Sequence, residues 1–391
     1  MNTFSIKNVL KKNVMTIALF VIYIFFTIMT GGNMFTSSNV ASLIDQNAYV
    51  FILGVGMLMC MLTGGNIDLS VGSFVCFMGA VAGVFSVIKH VNTPLTLFLV
   101  LLVGIIYGAV LGFLIAYIRI PPWIATLAGY LAFRGLGTQI LITVSETSAI
   151  SNFPESFLKI FSGKLFESAY GVVNVPTMAL GILGAAAVIA LNITGRAKKL
   201  KKGYQADPLW FVILKSVLIS AVILVLTYQI SLDGGLPVVI LWILAVLIIY
   251  GIITEKTTIG RHFMTVGGNA ETARLSGINN KLVMFCAYLN MAVLTVLAAL
   301  IVTARFGSAN AFAGQNFELD AISACIVGGV SAYGGAGTVI GMVIGAALIG
   351  VINQGMSLMS IDQDWIKIVK GLVLLAAVVF EILSKKGNKR Q

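Results

Sequence analysis

Charged residues make up only 10% of this 391-residue chain, against roughly 25% in an ordinary soluble domain. That shortage excludes a water-soluble globular protein. Disorder is excluded too, because 59% of the residues are hydrophobic and the mean hydropathy is +1.01, the opposite of an unfolded chain's composition. Cysteine is scarce: Cys60, Cys76, Cys286 and Cys325 lie in or beside apolar stretches without a CxxC pair, which favours small buried hydrophobes over disulfides or a metal site. The two histidines, His90 and His262, fall far apart in expected loops, so no catalytic or metal constellation is expected. A phosphate-cradling loop of the Walker type needs Gly, four residues, then Gly-Lys-Ser/Thr. The one Gly-Lys dipeptide, Gly163-Lys164, is followed by Leu165, so the chain is not expected to be an enzyme or to bind ATP itself.

What the sequence does have is apolar runs. A transmembrane helix takes about 20 apolar residues, and runs near 14–30, 45–62, 70–88, 95–118, 123–142, 177–193, 209–231, 237–253, 283–304, 337–358 and 365–383 read as helices. A shorter run, 321–332, cannot cross alone. The expectation is an all-α polytopic membrane protein, one transmembrane domain over 1–391, with about 10–12 spans including broken or re-entrant segments. The first run lacks a convincing small-residue cleavage site, so it reads as an uncleaved span.

The net charge is +11, but the basic residues sit in short clusters between apolar runs, which marks topology and not a nucleic-acid partner. Lys7, Lys11 and Lys12, the group Arg196, Lys198, Lys199, Lys201 and Lys202, the group Lys256, Arg261, Arg274 and Lys281, and Lys385, Lys386, Lys389 and Arg390 are placed in the cytoplasm by the positive-inside rule. The stretch 143–176, with Glu146, Glu155 and Glu167, and the turn Asp233-Gly234-Gly235 belong outside. Counting spans from a cytoplasmic N-terminus puts 254–282 inside, in agreement with charge. An inside C-terminus then requires an odd number of crossings after residue 310, so the short run must pair with its neighbour as a broken helix.

Glycine organises the helices. Gly79 and Gly83, then Gly104, Gly108 and Gly112, then Gly337, Gly341 and Gly345 recur every fourth residue, which permits close helix packing in lipid, within one subunit or in a dimer. Gly64-Gly65-Asn66-Ile67-Asp68-Leu69-Ser70-Val71-Gly72 followed by Gly79 and Gly83 is faintly similar to Gly328-Gly329 through Gly337 followed by Gly341 and Gly345. Such corresponding interruptions occur in related transporter halves, although abundant glycine could mimic them.

The stretch Thr63 to Ser70 interrupts two apolar runs with polar, glycine-rich backbone, which survives at membrane depth only when buried in protein or lining a water-filled cavity. An ionisable Asp68 there is a functional candidate; it could equally cap the next helix, with Asp68 or Ser70 accepting backbone N–H bonds. In Gly260 to Asn279, Ala270 to Leu275 is helix-forming and Gly277 is a C-terminal stop, which suggests a short docking helix between two spans.

Four segments together resemble the permease subunits of ATP-binding-cassette sugar importers of the ribose, xylose and galactose type: Gly64 to Ser73, Ile120-Pro121-Pro122-Trp123-Ile124-Ala125-Thr126-Leu127 with Arg134-Gly135, the loop Gly260 to Asn279, and Gly328-Gly329-Val330-Ser331 with Gly334-Gly335-Ala336-Gly337. In size and in its extra material around 143–176 and 195–208, the chain looks closer to the xylose-type and multiple-sugar permeases.

The resemblance implies a type II-like importer fold in a bacterial-type inner membrane with both termini cytoplasmic. It also implies a homodimer or pseudo-dimer, a cytoplasmic ATPase that uses ATP and Mg while this chain binds no cofactor, and an extracytoplasmic sugar-binding protein. The candidate path residues are Gly64, Gly65, Asn66, Asp68, Ser70, Gly328, Gly329 and Ser331. The candidate ATPase-coupling residues are Gly260, Arg261, Gly267, Gly268, Asn269, Glu271, Ala273, Arg274 and Gly277, with Gly268 and Gly277 expected at tight turns flanking the short helix.

A pentose or hexose, xylose above all, is the expected cargo; a nucleoside, an autoinducer furanose or a branched-chain amino acid is the nearest alternative within this class. An ion-coupled secondary transporter would also have broken helices but should pair membrane carboxylates, and Asp68 has no obvious acidic partner in the sequence.

Overall fold

The structure, a computed structural model, describes residues 14–204 and 208–388, with side chains described through Val379. Of the terminal basic clusters used in the topology count, Lys7, Lys11, Lys12, Lys389 and Arg390 lie outside the described residues, and Lys385 and Lys386 beyond the described side chains. Among the described residues the chain forms fifteen helices. Nine are long and apolar enough to cross a membrane.

In order these are α1 (Val14–Met29), α2 (Ser37–Leu62), α3 (Val71–Gly83, continued by a π turn to Ile88), α4 (Thr93–Ala116), α5 (Pro122–Val144), the short α6 (Glu155–Ser162), α7 (Val175–Lys201), α8 (Leu209–Leu232) and α9 (Val239–Lys256). The short α10 (Thr258–Gly268) and α11 (Ala270–Leu275) follow, then α12 (Asn280–Phe306), the half-length α13 (Phe317–Val327), α14 (Val339–Leu358) and α15 (Gln363–Asn388).

Three boundaries differ from the sequence expectation. The second span begins at Ser37 and not near 45, because its polar first turns find partners: the Ser37 and Ser38 hydroxyls donate to the Tyr170 oxygen, and the Asn39 amide donates to the Asn33 carbonyl at 2.8 Å. The 177–193 run extends to Lys201, so the first half of the basic linker is helix; cations there complement the negative C-terminal end of the helix dipole. The 321–332 run is shifted to Phe317–Val327 and stops at Gly328-Gly329, where Gly329 adopts φ +83.

Helix α2 forms the centre of the core, with Val50, Ile52, Leu53, Val55, Met57, Leu58 and Leu62 fully buried. Helices α12, α13 and α14 pack on it, and α3 packs on α12 and α5, whereas α5, α7 and α8 also expose apolar side chains such as Leu131, Leu183 and Leu218. The four-residue glycine spacing is consumed inside the chain. Gly104 lies against Val296, Gly108 against Leu289 and Ala292, and Gly112 against Phe285, so the α4 backbone seats directly on α12.

One end of the bundle is tied by the 145–174 segment. Ala149–Ser151 (β1) pairs with Ser308–Asn310 (β4), and Lys164–Leu165 (β2) with Leu236–Pro237 (β3). Lys164 bridges Asp233 at 2.7 Å, the Trp242 indole donates to the Ile160 carbonyl at 2.9 Å, and α6 buries Phe157 and Phe161. The opposite end carries α10 and α11.

Candidate functional site

The chain breaks twice, at Thr63–Ser70 between α2 and α3 and at Gly328–Thr338 between the packed helices α13 and α14. Each break needs left-handed backbone, with φ +123 and +73 at Gly64 and Gly65, and φ +83, +86 and +73 at Gly329, Gly334 and Gly335. Glycine adopts such angles without a steric penalty. The two breaks lie on each other: a Cβ at Gly65 would strike the Ala332 carbonyl, and one at Gly334 would strike the Gly64 backbone. The faint similarity of 64–83 and 328–345 thus corresponds to two interruptions that meet in space.

Several backbone polar groups in the breaks find partners within the protein. The Gly335 N–H donates to the Leu62 carbonyl at 3.1 Å, that of Ser331 to the Ala336 carbonyl at 2.8 Å, and that of Gly65 to the Met61 carbonyl at 2.8 Å. The Asn66 amide folds back to the Thr63 carbonyl at 3.2 Å. Gly328 lies against the Gly341 carbonyl, closing the start of α14 onto the end of α13.

Asp68 is 2% exposed and acts two positions ahead of the helix. Its Oδ1 accepts the Ser70 N–H at 2.8 Å and the Ser70 hydroxyl at 2.6 Å, while the Tyr107 hydroxyl on α4 donates to Ser70 Oγ at 2.7 Å. Asp68 therefore braces the start of α3 against α4. Replacing Asp68 by Ala removes two hydrogen bonds to a buried carboxylate, so Asp68→Ala is expected to destabilise the purified chain by about 2–3 kcal/mol, and Asp68→Asn by less. Thermal unfolding in detergent checks this; equal midpoints for Asp68→Ala and the unsubstituted chain would remove the bracing role.

The candidate coupling residues occupy the two short helices. Gly260 packs on the Ile253 and Thr254 carbonyls, which allows the sharp turn out of α9, and the Thr257 side chain caps α10. Phe263 and Val266 bury the inner face of α10 while Arg261 stays exposed. The Asn269 side chain caps α11 by accepting the Thr272 N–H at 3.0 Å, Ala273 is fully buried, and Gly277 ends the segment with φ +81. Glu271 pairs with Arg274 at 2.5 Å on the open surface.

The expectation of a tight turn at Gly268 is corrected. Residue 268 ends α10 with no left-handed angle, and a Cβ there would meet nothing within 4 Å. The tight fit on both breaks is at Gly267, where a Cβ would strike the Leu62 carbonyl and come within 2.7 Å of the Gly335 nitrogen, while the Gly268 backbone lies against Gly335 alone. The last turn of α10 thus touches the edges of both breaks at once.

The sequence reading passed over the buried charges beyond Asp68. Glu318 and Asp320 occupy the first turn of α13, where the helix dipole favours anions. Lys370 on α15 pairs with Asp320 at 2.8 Å, and the Tyr49 hydroxyl donates to Asp320 at 2.6 Å. Arg134 on α5 donates to the Ala311 and Ala313 carbonyls at 3.1 and 2.9 Å. Glu318 reaches Gly72, just past Asp68, so an acidic neighbour does exist on the α3 side. Opposite charges inside or beside apolar runs were the available signal.

Residues 39–378 match the family described as the branched-chain amino acid transport system permease component. The xylose transport system permease protein XylH of Haemophilus influenzae is 36% identical over 98% of this chain and 99% of its own length. The XylH protein of Escherichia coli is 35% identical over 96% and 92%, and the ribose import permease protein RbsC of E. coli is 29% identical over 92% and 88%. No solved structure matches. With its apolar spans, the chain is a multi-pass inner-membrane protein, and it belongs to this family of permease subunits of ATP-binding-cassette importers.

Proposed function

We propose that this chain forms the translocation path of an importer for a neutral monosaccharide, with a pentose of the xylose type as cargo. An extracytoplasmic binding protein delivers the sugar, and two separate ATPase subunits drive the cycle from a homodimer or pseudo-dimer of permeases. The near full-length likeness to permeases named for xylose supports the cargo. The observation that carries the mechanism is the seat of α10: its Gly267 lies on Leu62 and Gly335, so a displacement of α10 by an ATPase pushes on both helix breaks. Exposed Arg261, Glu271 and Arg274 offer the polar contacts for that partner.

In this reading α10, α11 and both termini face the cytoplasm, and the 145–174 segment faces outward to receive the binding protein. ATP and Mg are used by the ATPase, and this chain binds no cofactor. Reconstitution in proteoliposomes tests it. The isolated chain is expected to show no ATP turnover, and the full complex to import D-xylose only with ATP on the α10 side. A cysteine placed at residue 155 should react with an impermeant thiol reagent from outside and one at 270 should not. Turnover by the isolated polypeptide, import of L-leucine in place of D-xylose, or reversed labelling would each overturn the corresponding part.

A further inference from the structure

A cavity opens at the end of the bundle opposite α10. It measures about 520 Å³, inside the roughly 300–1,000 Å³ range of small-molecule sites. Its walls come from the ends of four helices: Arg305 and Phe306 close α12, Asn316 precedes α13, Ser357 lies near the end of α14, and Gln363 opens α15. The floor lies deeper, at Tyr49, Asp320 and Ser323. Tyr49 is twelve residues into α2, about 18 Å from its start at 1.5 Å per residue.

Charges on this cavity are compensated. Lys370 pairs with Asp320 and Lys367 with Asp364, both at 2.8 Å, and Asp45 is the nearby opposite charge that acts on Arg305, with no ion pair between the two among the described residues. Arg305, Lys367 and Lys370 are matched in number by Asp45, Asp320 and Asp364, so no net charge on and around the cavity favours an anion. Uncharged polar groups are available instead. The Asn353 amide donates to Asn47 Oδ1 at 3.4 Å, while its own carbonyl oxygen is buried without a partner among the described residues. Asn47 is 3% exposed and held by its bond to the Leu43 carbonyl at 2.7 Å and by the close approach of Gly350. That oxygen has no accessible surface, so a sugar hydroxyl, a donor of the right kind, meets it once the Asn353 side chain turns toward the cavity and relieves the cost of an unpaired buried acceptor. Phe312 at the rim, 77% exposed, offers an aromatic face to the apolar side of a pyranose ring.

From this lining we infer that the cavity is a low-affinity reception site for one neutral monosaccharide, in which the Asn353 carbonyl and the Ser323 hydroxyl bind sugar hydroxyls. The inference deepens the importer reading and rests on it. It also supplies a link to the breaks. Ser323 on the floor is five residues from Gly328 on the same half-helix, so movement of the second break carries the floor with it and loosens the site as the path opens.

Two measurements on the full complex test the site. In a background with the four native cysteines replaced, Ser323→Cys should be labelled by a small impermeant thiol reagent, and millimolar D-xylose should slow that labelling whereas L-leucine should not. Asn353→Leu should lower D-xylose uptake about tenfold, equivalent to ~1.4 kcal/mol, with unchanged amounts of chain in the membrane and unchanged sugar affinity of the binding protein. Unprotected labelling together with full uptake by Asn353→Leu would overturn the site while leaving the importer reading intact. Protection by D-xylose without any uptake would overturn the importer reading and leave the site. Protection by L-leucine alone would overturn the neutral-sugar assignment.

Discussion

Gly267→Val is expected to abolish uptake, whereas Gly268→Val leaves the permease itself folded. At residue 267 an added side chain meets backbone on both sides, the Leu62 carbonyl and the Gly335 nitrogen, and neither can swing away as a flexible side chain could. Overpacking ordinarily costs about 1–3 kcal/mol through side-chain adjustment. Here relief requires lifting α10 off both helix breaks, so the loss should exceed that range. At residue 268 a Cβ meets nothing within 4 Å, and the change in the isolated chain should stay within about 0.5 kcal/mol. Thermal unfolding of the two purified variants, recovery of the ATPase and uptake in proteoliposomes separate the cases. Gly267→Val with normal unfolding and normal uptake would show that α10 does not act through the breaks. Loss of uptake in Gly268→Val should appear only together with loss of ATPase recovery, because residue 268 faces outward.

Gly334→Ala should be far more damaging than Gly329→Ala, although the two glycines share nearly the same backbone angle, φ +86 and +83. A left-handed angle costs a residue with a Cβ about 1–2 kcal/mol. For Gly329 that is the whole expected effect, since no atom lies within 4 Å of the added Cβ. At Gly334 the Cβ would strike the Gly64 backbone and come within 2.7 Å of the Gly65 nitrogen. The two breaks would have to separate, which strains the nearby Gly335-to-Leu62 hydrogen bond and opens polar backbone at membrane depth. We expect Gly334→Ala to lower the unfolding midpoint by several times the shift of Gly329→Ala and to reduce uptake to background. Equal shifts for the two variants would mean that the angle alone matters and that the breaks do not bear on each other.

Periodicity and composition made much of this molecule legible in advance. The helices Val14–Met29, Val71–Ile88 and Leu209–Leu232 lie within a residue or two of their apolar runs, because a run of apolar residues bounded by polar turns favours one helix in lipid; at 16 residues the first is shorter than the nine helices long enough to cross. The short helix Ala270–Leu275 and its stop at Gly277 were readable for a local reason as well: helix formers followed by glycine. Where local sequence misled, the cause was a distant partner. Ser37 to Gln46 looks like loop, yet contacts from Asn33 and Tyr170 help hold it in helix.

The sequence by itself determined the solvent, the helical class, the two interruptions and the four segments that carry the family resemblance, because each of these follows from neighbours along the chain. Only the tertiary structure decided that the interruptions at Gly65 and Gly334 lie on each other and that Gly267, not Gly268, touches both. It alone decided that Asp320, Lys370 and Tyr49 close the floor of a polar cavity. Those facts depend on which groups approach within contact distance across residue separations of up to 271. A glycine that serves as a contact and a glycine that faces open space are the same letter, and only the neighbour that would meet its missing Cβ tells them apart.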